Sequence, residues 1–207
     1  MAFAPSVRKL MLTAHITFSV GWLGAVAVFL ALAVMGLTSH DAPLVRAAYL
    51  AMGLSGWYVI VPSSFAALLT GVVQAVGTPW GLFKHYWVAV KLLLTVAATV
   101  LLLVHMQPIS YLAQVAAKAD LSSTELRGMR LRLLADAVAA LVVLLAATTI
   151  SVYKPWGRIG NWLQQRQQPS PVAATPTSWG QYILLALLGL VVLFLVVHLL
   201  GGGLGHH

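Results

Sequence analysis

Five ionisable side chains fall inside the long apolar stretches of this sequence: His15, Lys91, His105, Asp136 and His198. Placing such a group within a membrane costs about 2.5–3.5 kcal/mol on insertion scales, so each is a functional candidate. His15 shares a helical face with Ser19 and Trp22, at i+4 and i+7. Its imidazole either hydrogen-bonds a neighbouring helix, ligates a haem or metal, or carries a proton. Lys91 lies on a stripe with Trp87 and Thr95. Its ammonium either snorkels to the interface along its apolar stem, or turns inward to hold an anionic group or transfer a proton. Asp136 is either an interfacial acid solvated by headgroups or the acceptor of a bond from His105. His105 and His198 face the same side and form a candidate bis-histidine pair. His206 and His207 follow a triple glycine and read as a weak metal site or a plain tail. With no cysteine present, thiolate metal sites and cysteine nucleophiles are excluded.

The elements that position these residues are membrane helices. The chain has 207 residues, 60% of them hydrophobic and 8% charged, with a mean hydropathy of +0.92. A soluble domain carries about 25% charged residues, so the solvent for most of this chain is lipid. Twelve Lys+Arg against four Asp+Glu give a formal charge of +8. The basic residues sit between apolar spans, so the implied partner is the anionic lipid surface and not nucleic acid.

A crossing helix needs about 20 apolar residues. Five stretches qualify: Leu10 to Leu37, Ala47 to Val76, Tyr86 to Met106, Leu133 to Tyr153 and Tyr182 to Leu200. The expected fold is an all-α integral membrane protein with a four-helix transmembrane core over residues 1–156. A Gln/Pro-rich linker follows at 157–178, and an appended fifth helix with a Gly/His tail at 179–207. Pro62, followed by Ser63 and Ser64, predicts a kink in the second span, or a break into two half-helices. Ile109 to Ala119 reads as a short amphipathic segment on the membrane surface. Ser122 and Glu125 form a capping box, so the next helix begins there, its first turns projecting into water with Arg127, Arg130 and Arg132. Gly24 and Ala25 predict close approach of another helix to the first. The tryptophans at 80, 87, 156, 162 and 179 read as an interfacial belt.

Arg8-Lys9 before the first span favours a cytoplasmic N-terminus. All four acids then fall on the far side. Helix direction sets which residues meet. The first and third spans run the same way, so His15 and Lys91 lie at similar depth. Thr70, Gly71, Thr148 and Thr149 fall in that layer, which makes a pocket there.

The first span, a histidine followed by Trp22-Leu23-Gly24-Ala25, resembles the His…Trp-x-Gly-Gly start of several small bacterial membrane families. Tyr86-Trp87-Val88-Ala89-Val90-Lys91-Leu92-Leu93-Leu94 resembles the Trp-x-x-x-Lys-Leu start of their third helix. These are the HemJ-type protoporphyrinogen oxidases, the CopD-type copper-resistance membrane domains and related uncharacterised integral membrane families. The resemblance covers roughly the first 106 residues. It implies haem b, with His15 as the iron ligand and Lys91 as the catalytic, ligand-holding residue. His105 is a further cofactor-binding candidate, although it lies farther from Lys91 than that family's third-helix histidine. Ala25 stands where the motif has its second glycine, and the fifth helix is an addition.

The expected function is a small membrane protein that binds b-type haem or handles porphyrin in a redox role. The alternative is a non-enzymatic accessory or assembly protein, alone, as a homo-oligomer or within a larger membrane complex. A transporter would need more than Pro62-Ser63-Ser64, because no inverted repeat accompanies it.

Overall fold

The computed structural model describes residues 4–77, 86–118 and 124–153. The fifth span, the linker, His198, Ser122 and four of the five belt tryptophans lie outside the described residues. Every described element is a helix: α1 (Pro5–Thr38), α2 (Ala42–Ser55), a π-helical turn (Gly56–Ile60), α3 (Val61–Val76), α4 (Tyr86–Lys118) and α5 (Thr124–Tyr153). Four rods are long and apolar enough to cross a membrane, with α2, the π turn and α3 forming one of them. Their outer faces are greasy: Leu10, Leu69, Leu93 and Val104 are each more than 60% exposed. An exterior of that kind is stable only against lipid, so this is the architecture of a multi-pass membrane protein.

Local sequence explains where the rods start and turn. Pro5 and Pro43 occupy first-turn positions, where a missing N–H costs nothing. Only three residues separate α1 from α2, so these two pack antiparallel. The second rod stays helical through Pro62, with no break into half-helices. The backbone widens one turn ahead of the proline, and the Val61 N–H donates to the Gly56 carbonyl five residues back. Ser64 Oγ donates to the Val61 carbonyl at 2.8 Å beside it.

Around the bundle, α1 packs against the second rod and α5, and α4 packs against the same two. Thus α1 and α4 stand on a diagonal and do not pack on each other. The core runs through Trp22, Val26 and Phe29 of α1, Tyr49 and Met52 of α2, Met106 and Leu112 of α4, and Leu133 and Leu144 of α5.

The third rod corrects one expectation. Ile109 to Ala119 is no separate surface segment: α4 continues through Pro108 to Lys118. Ile109, Leu112 and Ala116 are buried, packed in one cluster with Val45, Tyr49 and Met52 of α2. An apolar stripe at helical spacing looks the same whether it meets lipid or another helix, and here the stripe on α2 claims it.

The rods are also longer than the membrane. At 1.5 Å per residue, α1 spans about 51 Å, against a hydrocarbon core of about 30 Å. On α5, exposed Arg132 and exposed Tyr153 are about 32 Å apart by the same rise, which matches that thickness and sets them at its expected edges. Exposed Trp57, Tyr58 and Tyr111 lie level with Arg132, as interfacial aromatics do. Beyond that edge the end of α1, α2, the end of α4 and the first turns of α5 form a helical cap. Exposed Arg46, Gln114 and Lys118 belong to it.

Two arginines close this cap. Arg130 donates from Nε to the Tyr49 hydroxyl at 2.7 Å and from Nη2 to the Gly36 carbonyl, with its guanidinium 5.3 Å from the Tyr49 ring centre. Arg46 donates to the Ala116 and Ala117 carbonyls. Both cations thus satisfy carbonyls in a last helical turn, which has no partners of its own. Arg127 and Arg132 are exposed as expected; Arg130 is not, because it turns inward to the end of α1.

Candidate functional site

The structure brings His15 and Lys91 together across the α1–α4 diagonal. Lys91 Nζ lies 3.1 Å from His15 Nε2. The other ring nitrogen, Nδ1, lies 3.1 Å from the Ala67 carbonyl and 3.2 Å from Thr70 Oγ1. A carbonyl only accepts, so Nδ1 carries the hydrogen. Thr70 spends its own hydroxyl hydrogen on the Ala66 carbonyl at 2.6 Å, leaving its oxygen to accept from His15. Neutral His15 therefore presents the Nε2 lone pair, and Lys91 donates into it.

Each helix supplies one part of this arrangement. α1 carries His15 about ten residues from its start. α3 supplies Ala67 and Thr70 on one face, with Gly71 beside them. A Cβ on Gly71 would sit 3.0 Å from His15 Cε1, so glycine makes room for the ring. α4 brings Lys91 up from its first turns. The Lys91 tip turns onto His15 instead of snorkelling outward. Among the described residues, Asp136 lies at the other end of the bundle, on His105, and the partner of this ammonium is the neutral imidazole.

Other residues of the expected layer take no part. Thr148 and Thr149 bond back to Leu144 and Leu145 of their own helix, each at 2.8 Å. Thr95 likewise donates to the Lys91 carbonyl at 2.8 Å. Gly24 admits no neighbouring helix, since a Cβ there would meet nothing within 4 Å. The close approaches are at Gly36 on Tyr49, Gly53 on Ala113, Gly56 on Met106 and Gly71 on His15.

A second pair lies near the opposite edge. His105 Nε2 is 2.9 Å from Asp136 Oδ2, and His105 Nδ1 donates to the Leu101 carbonyl at 2.7 Å. Asp136 is thus joined to α4 inside the bundle, not left to headgroups. Fourteen residues of α4 separate Lys91 from His105, about 21 Å along the axis. His15 and His105 therefore cannot ligate one iron. Between the pairs, on the α1–α4 diagonal, lies an apolar cavity walled by α1, the π turn, α4 and α5. His105 and Asp136 line it; His15 and Lys91 do not.

Reasoning from sequence missed Arg46, Arg130 and Tyr49 as partners. Among the described residues no group of three or more His, Cys, Asp and Glu is placed to hold a metal ion. The chain defines its class by architecture alone, a helical membrane bundle with two half-buried polar pairs. No family model, curated protein or solved structure matches it.

Proposed function

We propose that this membrane protein binds haem b, or handles a porphyrin, in a redox role at the His15–Lys91 pair. The supporting observation is an inward-turned Lys91 ammonium whose partner is a neutral imidazole. A cation inside a bundle is costly without a counter-charge. An anionic ligand removes that cost, and a tetrapyrrole brings carboxylates attached to a large apolar body.

The donor chemistry at His15 fits an iron. A backbone carbonyl on Nδ1–H fixes the tautomer and ring orientation that leave Nε2 as the ligating lone pair. The reading also makes a demand. Nε2 is engaged by Lys91 and the cavity does not reach His15, so binding has to move Lys91 onto a propionate and open space beside the ring. Lys91 is the catalytic candidate in this scheme, as the group that holds the ligand and can move a proton to it. Orientation belongs to the same proposal: the N-terminus in the cytoplasm, in a bacterial plasma membrane.

The test is one absorption spectrum of protein produced with ample haem. A Soret band that disappears in His15→Ala, with the variant still inserted, supports the reading. No band in the wild-type protein refutes it. One observation favours a second reading, a non-enzymatic accessory protein: both His15 ring nitrogens and both His105 ring nitrogens already have partners within the bundle. On that reading the two pairs fasten helices, and a colourless protein that copurifies with a larger complex is the expected result.

A further inference from the structure

The cavity on the α1–α4 diagonal is long and narrow. Its volume is about 80 Å³, roughly half of the ~150 Å³ that holds benzene in an engineered cavity. Its lining on α4 nevertheless runs from Leu94 to Ile109, about 22 Å along the helix. On α5 it runs from Leu133 to Leu144, about 16 Å by the same rise. So little space drawn out over that length is a slot parallel to the helix axes. A ring system is too broad for it, and a single hydrocarbon chain has the right form.

The slot offers nothing to a polar ligand. Its ionisable side chains are His105 and Asp136. Their hydrogens are spent within the bundle, one on the Leu101 carbonyl and one between His105 Nε2 and Asp136 Oδ2. The rest of the wall is apolar, from Trp22 and Phe29 of α1 to Ala98 of α4 and Ala140 of α5. An empty slot of this kind forfeits dispersion contacts along its length, and a methylene chain restores them.

Charge marks the end at which such a chain enters. Arg132, Asp136, Ala139 and Val143 follow one another on one stripe of α5, and the last three line the slot. That stripe faces α4: Asp136 meets His105, and Val143 shares a cluster with Leu94. Arg132 therefore stands at the head of the α4–α5 seam, about 6 Å above Asp136 along the axis and level with the membrane edge. It is exposed and has no hydrogen-bond or ion-pair partner among the described residues. Its planar fork matches phosphate oxygens. A chain-wide slot with an uncommitted guanidinium at its interfacial end fits a phospholipid, acyl chain inward and phosphate outward.

We propose that the slot takes one acyl chain of an anionic phospholipid, which enters through the α4–α5 seam with its phosphate on Arg132. This differs from the general attraction of basic residues to a lipid surface, because one chain leaves the bilayer and lies inside the protein. The site is separate from His15–Lys91 and stands or falls without haem.

Phosphatidylglycerol brominated at mid-chain, titrated into the full chain in phosphatidylcholine nanodiscs, tests it. Trp22 is 3% exposed, so bromine in bulk lipid does not touch it, whereas bromine on a chain in the slot does. Trp22→Phe identifies the fluorescence that belongs to this residue. That component should be quenched saturably by brominated phosphatidylglycerol, and about tenfold less readily by phosphatidylcholine brominated in the same way. Arg132→Gln should bring phosphatidylglycerol down to the level of phosphatidylcholine, a loss of about tenfold, the worth of one charged hydrogen bond. Ala140→Phe blocks the slot and should abolish quenching by either lipid. If that variant fails to accumulate, Ala98→Ile blocks it from the α4 wall and is read the same way. Unbrominated phosphatidylglycerol should restore the fluorescence by competition, and inorganic phosphate should not. The proposal is overturned by quenching that rises with bromolipid fraction without saturating, or by equal quenching from the two headgroups. Indifference to Arg132→Gln or to the slot-blocking variants would also overturn it, as would competition by inorganic phosphate.

Discussion

Replacing Lys91 by methionine should leave the free protein as stable as before or more so, whereas replacing its partner should not. The hydrogen bond from Lys91 Nζ to His15 Nε2 at 3.1 Å involves a charged donor, worth about 1.5–3 kcal/mol. Against it stands the desolvation of the ammonium, several kcal/mol per ion after relaxation, with no carboxylate among the described residues to offset it. Lys91 is half-buried near the membrane edge, so the lower end of that cost applies. The two contributions nearly cancel, and Lys91→Met is expected within about 1 kcal/mol of wild type or on the stable side. His15→Ala removes the one acceptor and keeps the ammonium, so it should cost about 3 kcal/mol. The double variant should recover most of that loss. Unfolding by denaturing detergent, followed by far-ultraviolet circular dichroism, measures all three. A Lys91→Met loss as large as that of His15→Ala would show that the lysine is there for stability. The inference of a missing anion would then fall.

Four further outcomes follow from named contacts. Arg130→Ala removes bonds to Tyr49 and Gly36 and a ring contact; it should destabilise by about 2–4 kcal/mol. Tyr49→Phe should cost only about 1 kcal/mol, both read by the same unfolding assay. Gly36→Ala places a Cβ 2.8 Å from the Tyr49 ring, so it should cost about 1–3 kcal/mol and couple non-additively with Arg130→Ala. Truncation after Arg158 should still accumulate as a folded bundle, since the four described rods pack on one another; failure of the truncated chain to insert would make the fifth span integral. Reporter fusions at Ser39 and after Val76 should report outside and inside respectively, and the reverse pattern would invert the orientation.

The polar pairs were legible in the sequence because membrane helices have a direction. Counting turns from the start of the first and third spans is enough to put His15 and Lys91 at one depth, and the same counting puts His105 near Asp136. Depth does not give rotation, so the direct contact between Nζ and Nε2 had to come from the packed bundle. The extension of α4 beyond Met106 was hidden for a different reason. The apolar span ends at Met106, and the stripe after Pro108 matches a surface segment equally well until its partner on α2 is known. Arg130 was misjudged and Arg46 passed over because the helix ends they serve lie 94 and 70 residues away in the chain. Gly24 drew notice through the wrong signal: small residues permit close packing without requiring it, and the tight crossings use Gly36, Gly53, Gly56 and Gly71.

The widened turn at Gly56–Ile60 also acts as a phase-setting spacer. An ordinary helix advances 100° per residue, so a rod of this length keeps one fixed angle between its two halves. The π turn breaks that lock. Its wider hydrogen-bond loop lets α2 aim Tyr49 and Met52 at the cap while α3 independently aims Ala67, Thr70 and Gly71 at His15. Deleting one residue between Gly56 and Ile60 would rotate α3 by about 100° against α2, carrying the acceptors of His15 to another side of the rod while every apolar stripe stayed apolar. Insertion into the membrane would survive such a change, and the imidazole would lose its anchor. In this chain, lipid compatibility and site geometry are therefore separately written, and a shift of one residue can erase the second without disturbing the first.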